Sequence, residues 1–202
     1  MKRFPSVTRF GVLFVLLAFS TPGAGRAQSH HRTVMLPMRD GTGLATSLFF
    51  PDSDDPLLDA ILIRTPYGRN TQRRAVDFFT GRGYLVAVQE VRGQGDSRGE
   101  WSLFGFSEKN DGYDAVEWLA GQEWSTGKVG MIGGSYVGWA TLWTAVAKPP
   151  HLVTVISNVT PSEPFRGAAY QDGLLGLGNL DVIGQFSGSP RRDAVGHPQL
   201  QR

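Results

Sequence analysis

Apolar and polar residues alternate along Thr33 to Arg39 and again along Gly43 to Phe50, the period-two pattern of strands with one face inward. Asp40-Gly41 between the two runs is a hairpin signal, so they form an antiparallel lead-in. An acidic turn, Pro51 to Pro56, precedes a third strand, Ala60 to Arg64, which ends in the turn Thr65-Pro66-Tyr67-Gly68. Asn70 or Thr71 caps a helix with Ala75, Val76 and Phe79 on its apolar face, and Gly81-Arg82-Gly83 stops it. A fourth strand, Tyr84 to Val91, opens into a glycine-rich loop from Arg92 to Glu100. Asn110 or Asp111 caps the next helix, which turns Tyr113, Val116, Trp118 and Leu119 inward and closes at Gly121.

The run Lys128 to Ile132 reads as a short buried strand, and Tyr136 to Ala147 as a helix with Trp139, Leu142, Trp143 and Val146 on one face. After Pro149-Pro150 comes another buried strand, Leu152 to Val159. Strands alternating with helices predict an α/β fold with a mostly parallel sheet, preceded by the antiparallel hairpin. Past Thr160 the pattern weakens. Gly167 to Gly178 is glycine-rich, and Ser187 to Arg202 reads as a polar end. The expected organisation is residues 28–160 as the amino-terminal part of one domain and 161–202 as the start of a further region, with the sheet incomplete.

Composition changes this picture at the amino terminus. Lys2, Arg3 and Arg9 precede the apolar run Phe10 to Phe19, and small residues lead to a cut after Ala27. That is the layout of a secretory signal peptide over residues 1–27, predicting a periplasmic or extracellular protein. The run is shorter than the ~20 residues that span a bilayer, so no stable membrane anchor is expected. Without Lys2, Arg3, Arg9 and Arg26, the 20 basic residues fall to 16 against 18 acidic ones. The basic balance belongs to the targeting segment, and no nucleic-acid partner is implied. With no cysteine there is no disulfide framework and no lipid-anchored cysteine.

The candidate chemistry lies at Gly133-Gly134-Ser135-Tyr136-Val137-Gly138. A strand, a tight glycine turn with serine at its apex, then a helix is the layout of a nucleophile elbow. The turn lifts the hydroxyl above the carboxyl edge of a sheet, and the helix N-terminus offers backbone N–H groups, that of Tyr136 among them, to a developing oxyanion. The common spacing is Gly-x-Ser-x-Gly, whereas here the following glycine is Gly138. A glycine-rich turn with an N-capping serine fits the same residues. In the Arg92 to Glu100 loop the glycines do not have the dinucleotide-binding spacing and no helix begins there, so it reads as structural, with Arg92 and Asp96 as a candidate ion pair.

Five ordered segments carry a resemblance. They are Arg64 to Tyr67, Gln89 to Glu100, Asp111 to Trp118, Gln122 to Gly130 and Gly133 to Trp139. Together they resemble the amino-terminal catalytic region of the cocaine esterase and X-Pro dipeptidyl-peptidase-like hydrolases, from about Arg32 to Gly178. The resemblance implies an α/β-hydrolase fold and a serine hydrolase of ester or amide bonds, with no cofactor or metal and a small-molecule substrate. It implies Ser135 as nucleophile and two oxyanion donors, the Tyr136 backbone N–H and the Tyr67 hydroxyl. In that family the spacing found here is the usual one. A phenol beyond the end of a strand suits the donor role.

The family's acid and histidine lie well downstream of the elbow, and the chain is expected to lack them. His30 and His31 stand at the start, and His151 belongs at the sheet end opposite Ser135. His197 has the right order, with Asp172, Asp181 or Asp193 as nominal acid, but falls in the polar tail. Around Arg166 to Gly173, where the α-amino-acid ester hydrolases carry an acidic residue for the substrate ammonium, the closest match here is Gly167-Ala168-Ala169-Tyr170. An X-Pro dipeptidyl peptidase, a β-lactam acylase and an inert module on the same scaffold remain open as alternatives.

Overall fold

The structure is a computed structural model that describes residues 30–161, 163, 166–167, 170–171 and 174–176. The predicted signal peptide, His197 and Asp172, Asp181 and Asp193 lie outside the described residues. The elements run β1 (His31–Pro37), β2 (Gly43–Phe49), β3 (Leu58–Thr65), a 3-10 turn (Arg69–Gln72), α1 (Arg73–Thr80), β4 (Leu85–Glu90), α2 (Ser107–Ala120), β5 (Ser125–Gly134), α3 (Tyr136–Ala147) and β6 (Leu152–Asn158). A short antiparallel pair, β7 (Tyr170–Gln171) with β8 (Leu174–Leu175), follows.

The six main strands form one sheet in the order β1-β2-β4-β3-β5-β6. β1, β2 and β4 pair antiparallel, whereas β4, β3, β5 and β6 run parallel. The hairpin turns where predicted, with Gly41 at φ 81°, a value that a side chain would strain. β4 shows why the parallel strands are continuously apolar. Leu85 and Ala87 face a core shared with Ala115, Val116 and Leu119 of α2, while Val86 and Val88 face one shared with Val76 of α1. The result is an α/β-hydrolase sheet, and its parallel strands all end on the edge that carries the elbow.

Five local readings change. Asn70 and Thr71 do not cap α1. They lie in the 3-10 turn that follows Gly68 (φ 91°), where the Thr71 hydroxyl donates to the Gly68 carbonyl (2.7 Å). α2 begins at Ser107, so neither Asn110 nor Asp111 is its cap. Glu108 and Asp111 are buried on its inner face because Arg64 of β3 and Arg92 of the loop after β4 meet them there. α3 is apolar almost all round. Its buried side runs through Val137, Ala140, Thr141 and Thr144 as well as Trp139, and Val146 is exposed. Arg92 does not pair with Asp96. It binds Asp111 and Asp40, while Asp96 binds Arg69. Finally, β6 is not a buried strand: it is the sheet edge among the described residues, with Val153 and Ile156 exposed.

Candidate active site

Ser135 sits between the last residue of β5 and the first of α3, with φ 56° and ψ −127°. An L-residue rarely occupies that region, and its neighbours hold it there. The Ser135 N–H donates to the Asn158 carbonyl at the end of β6 (3.1 Å), and its carbonyl accepts the Trp139 N–H (3.0 Å) and the Thr160 hydroxyl (3.0 Å). The flanking glycines are needed for close approach. A Cβ on Gly133 would lie 2.4 Å from the Val137 carbonyl carbon, and one on Gly138 would lie 2.1 Å from Thr160 Oγ1. Strand, turn, helix and the end of the next strand therefore meet without room for a methyl group.

Tyr67 comes from the turn after β3, where its N–H donates to Thr65 Oγ1 (3.0 Å). Its phenol Oη lies 3.5 Å from Ser135 Oγ, although 68 residues separate them. As the first residue of α3, Tyr136 has a backbone N–H that no preceding helical turn can engage. Its side chain points into the protein. The phenol donates to Glu108 Oε1 (3.3 Å), and its ring packs against Trp101 and Phe104 at 5.2 and 5.5 Å between centroids. Burial, then the Glu108 carboxylate, pushes the Tyr136 phenol above its ordinary value, so it stays a protonated donor.

Beneath the elbow lies a buried polar chain that sequence reasoning missed. The fully buried Arg64 donates through Nε to Gln89 Oε1 (2.8 Å), and through one terminal nitrogen to the Glu108 carbonyl (2.9 Å) and Oε2 (2.7 Å). Gln89 passes the chain on to Thr46 Oγ1 (3.1 Å). The other terminal nitrogen of Arg64 faces Asp111 at 3.8 Å, and Asp111 takes two bonds from Arg92 (3.0 and 2.6 Å). Arg92 in turn holds Asp40 and Thr42 of the hairpin. The one visible signal was a charge closing the apolar run Ala60 to Ile63; nothing in the local pattern marked Glu108.

The glycine-rich loop is fixed to the same edge. Glu90, at the end of β4, accepts from Arg69 and from the Asp96 N–H, and Arg69 also pairs with Asp96 (2.7 Å). A Cβ on Gly95 would lie 2.2 Å from the Glu90 carboxylate, so glycine lets the loop wrap it. The described histidines lie elsewhere. His31 pairs with Phe49, which pairs with Val86 near the start of β4, at the sheet end opposite the elbow. His151 precedes β6 at that same end and bonds Glu117 (2.8 Å).

An α/β-hydrolase sheet with a serine at a strained strand–helix turn defines the class, and the comparisons narrow it. Residues 40–195 match the family described as X-Pro dipeptidyl-peptidase (S15 family), and the chain belongs to that family of hydrolases. It is 34% identical over 146 residues to the cocaine esterase of Rhodococcus sp. (strain MB1 Bresler), covering 69% of this chain and 25% of that protein. Among solved structures it is similar to an α-amino acid ester hydrolase, with TM-score 0.68 and 25% identity over 84% of this chain and 33% of that one. It is also similar to a CocE/NonD family hydrolase from Staphylococcus aureus, with TM-score 0.65 and 25% identity over 79% of this chain and 33% of that one. The chain thus spans between a quarter and a third of these relatives. Among the described residues no helix is long and apolar enough to cross a membrane.

Proposed function

We propose that the protein is an exported serine hydrolase of small-molecule esters or amides, in which residues 28–160 form the amino-terminal part of the hydrolase domain. Ser135 Oγ attacks the acyl carbonyl. The Tyr67 hydroxyl and the Tyr136 N–H then receive the charge that develops on the carbonyl oxygen. The supporting observation is the 3.5 Å approach of Tyr67 Oη to Ser135 Oγ at the elbow. A donor already adjacent to the nucleophile stabilises the tetrahedral intermediate without moving.

Attack also needs a base to take the serine proton, and an unactivated serine is a poor nucleophile at neutral pH. That base is a histidine outside the described residues, oriented by a carboxylate, since His30, His31 and His151 stand at the opposite end of the sheet from Ser135. The names of the matched relatives, an esterase and an ester hydrolase, support acyl-transfer chemistry on small substrates.

The test uses a form of the protein that hydrolyses p-nitrophenyl butyrate. Ser135→Ala should abolish both turnover and labelling by a fluorophosphonate, and Tyr67→Phe should lower turnover by ~10²–10³. Undiminished turnover in Ser135→Ala refutes the serine mechanism. For export, N-terminal sequencing of secreted material should begin at Gln28; an intact Met1 would refute cleavage.

A further inference from the structure

The proposed oxyanion hole takes its two donors from separate elements, the turn after β3 and the first residue of α3. Such donors work only if both are held before the charge appears, because reorganising them during the reaction would cost what they supply. Backbone strain at Ser135 makes this harder. A residue at φ 56° keeps its conformation only while its surroundings over-determine it, and the Ser135–Tyr136 peptide carries one of the donors.

One buried side chain links the two elements. Glu108 Oε2 accepts from Arg64 (2.7 Å), the next-to-last residue of β3 and three before Tyr67. Glu108 Oε1 accepts from the phenol of Tyr136 (3.3 Å). The same arginine nitrogen also binds the Glu108 backbone carbonyl (2.9 Å), so the first turn of α2 cannot shift relative to β3. Gln89 and Thr46 fix Arg64 from the other side. Trp101 and Phe104 hold the Tyr136 ring from without.

Stability alone does not call for this arrangement. Well-packed apolar residues of similar volume often replace a buried ion pair without loss, whereas they cannot fix direction as a carboxylate with two distinct partners does.

We propose that Glu108, through the phenol of Tyr136 on one oxygen and Arg64 on the other, is a positioning residue that sets the backbone N–H of Tyr136 in register with the Tyr67 hydroxyl. The inference rests on the serine-hydrolase reading above. It gives the Tyr136 side chain a role that its backbone does not exhaust, and it makes Glu108 part of the machinery without contact with substrate.

Tyr136→Phe is the sharpest test, since it keeps ring and backbone and removes only the phenol oxygen, with its bond to Glu108 and its contact with the Phe104 backbone. In a hydrolytically active form of the protein, kcat should fall roughly tenfold with KM unchanged, less than the ~10²–10³ of losing a donor outright. Glu108→Gln leaves a single acceptor oxygen for Arg64 and Tyr136 to share and should have a similar effect. The double variant should be little worse than either single one, because both act in one chain of contacts.

Ser135→Ala run in parallel separates the two levels of the argument. If it loses hydrolysis while Tyr136→Phe keeps full kcat, the positioning role is wrong and the serine mechanism stands. If Ser135→Ala remains active, both fall.

Amide hydrogen exchange at position 136, read by NMR on the full chain, decides the point even where turnover is undetectable. Faster exchange at that position in Tyr136→Phe, with exchange in β3 and β4 unchanged, supports the role. Identical exchange at that position overturns it.

Discussion

At the scale of single residues, the site places chemistry above comfort. Ser135 occupies a backbone region that a Cβ disfavours, and such strain costs of order 1–3 kcal/mol. Glycine would occupy the region freely while costing about 0.5–1 kcal/mol of extra chain entropy. Ser135→Gly should therefore be more stable than Ser135→Ala by about 1 kcal/mol, or about 2–4 °C in thermal midpoint for a chain of this size, with both variants inactive. The alanine variant is the proper reference, since it lacks the hydroxyl and keeps the strained Cβ. Equal midpoints measured by calorimetry would limit the strain stored at the elbow to the ~0.5–1 kcal/mol that glycine costs in chain entropy. The residue scale is also where sequence reading stopped soonest. The elbow was legible because its strand, glycines and helix are contiguous. Tyr67 lies 68 residues away, and only the family resemblance pointed to it.

Between elements, α2 and α3 approach closely at Gly112. A Cβ there would lie 1.8 Å from Thr144 Oγ1 and 2.8 Å from Thr144 Cβ, and Thr144 is itself buried and donates to the Ala140 carbonyl. Helix propensity favours alanine over glycine by about 1 kcal/mol, yet overpacking typically costs about 1–3 kcal/mol. Crowding should win, so Gly112→Ala is expected to destabilise the protein in urea unfolding. Adding Thr144→Ala removes Oγ1 and should recover part of the loss. A stabilised Gly112→Ala would show that the helices can slide apart freely. The same pair of helices explains what periodicity could not reveal. α3 is apolar on nearly every side, so its buried face is set by the sheet and α2 rather than by its own pattern. α2 carries Glu108 and Asp111 inward because Arg64 of β3 and Arg92 of the loop after β4 meet them, and charged positions read from one segment cannot show partners on another. The hairpin and the extents of most elements were legible, because runs of buried alternating residues depend on local sequence, whereas the order of the strands in the sheet was not.

For the molecule as a whole, the sheet ends at β6 among the described residues, and that edge is unusually apolar. Val153 is 60% exposed and Ile156 53%, and Val153 stands at the irregular step where the register between β5 and β6 shifts. Val159, just beyond, is 89% exposed. A parallel strand open on one side presents free N–H and C=O groups, and apolar side chains beside them favour pairing with another strand. Native edges are usually guarded by charges, and β6 has none between Leu152 and Asn158. The matched relatives are far longer than this chain, and Leu152 and Val155 already pack partly against the core, so β6 is anchored in the sheet while among the described residues no strand pairs with its outer side. The 202-residue chain, purified alone, is therefore expected to self-associate as its concentration rises. Replacing Val153 and Ile156 together by lysine should suppress that association, since charges along an edge strand oppose edge-to-edge pairing. Size-exclusion chromatography with light scattering reads the outcome directly. A wild-type chain that stays monomeric at high concentration, or a double-lysine variant that associates equally, would mean that β6 is not an adhesive edge.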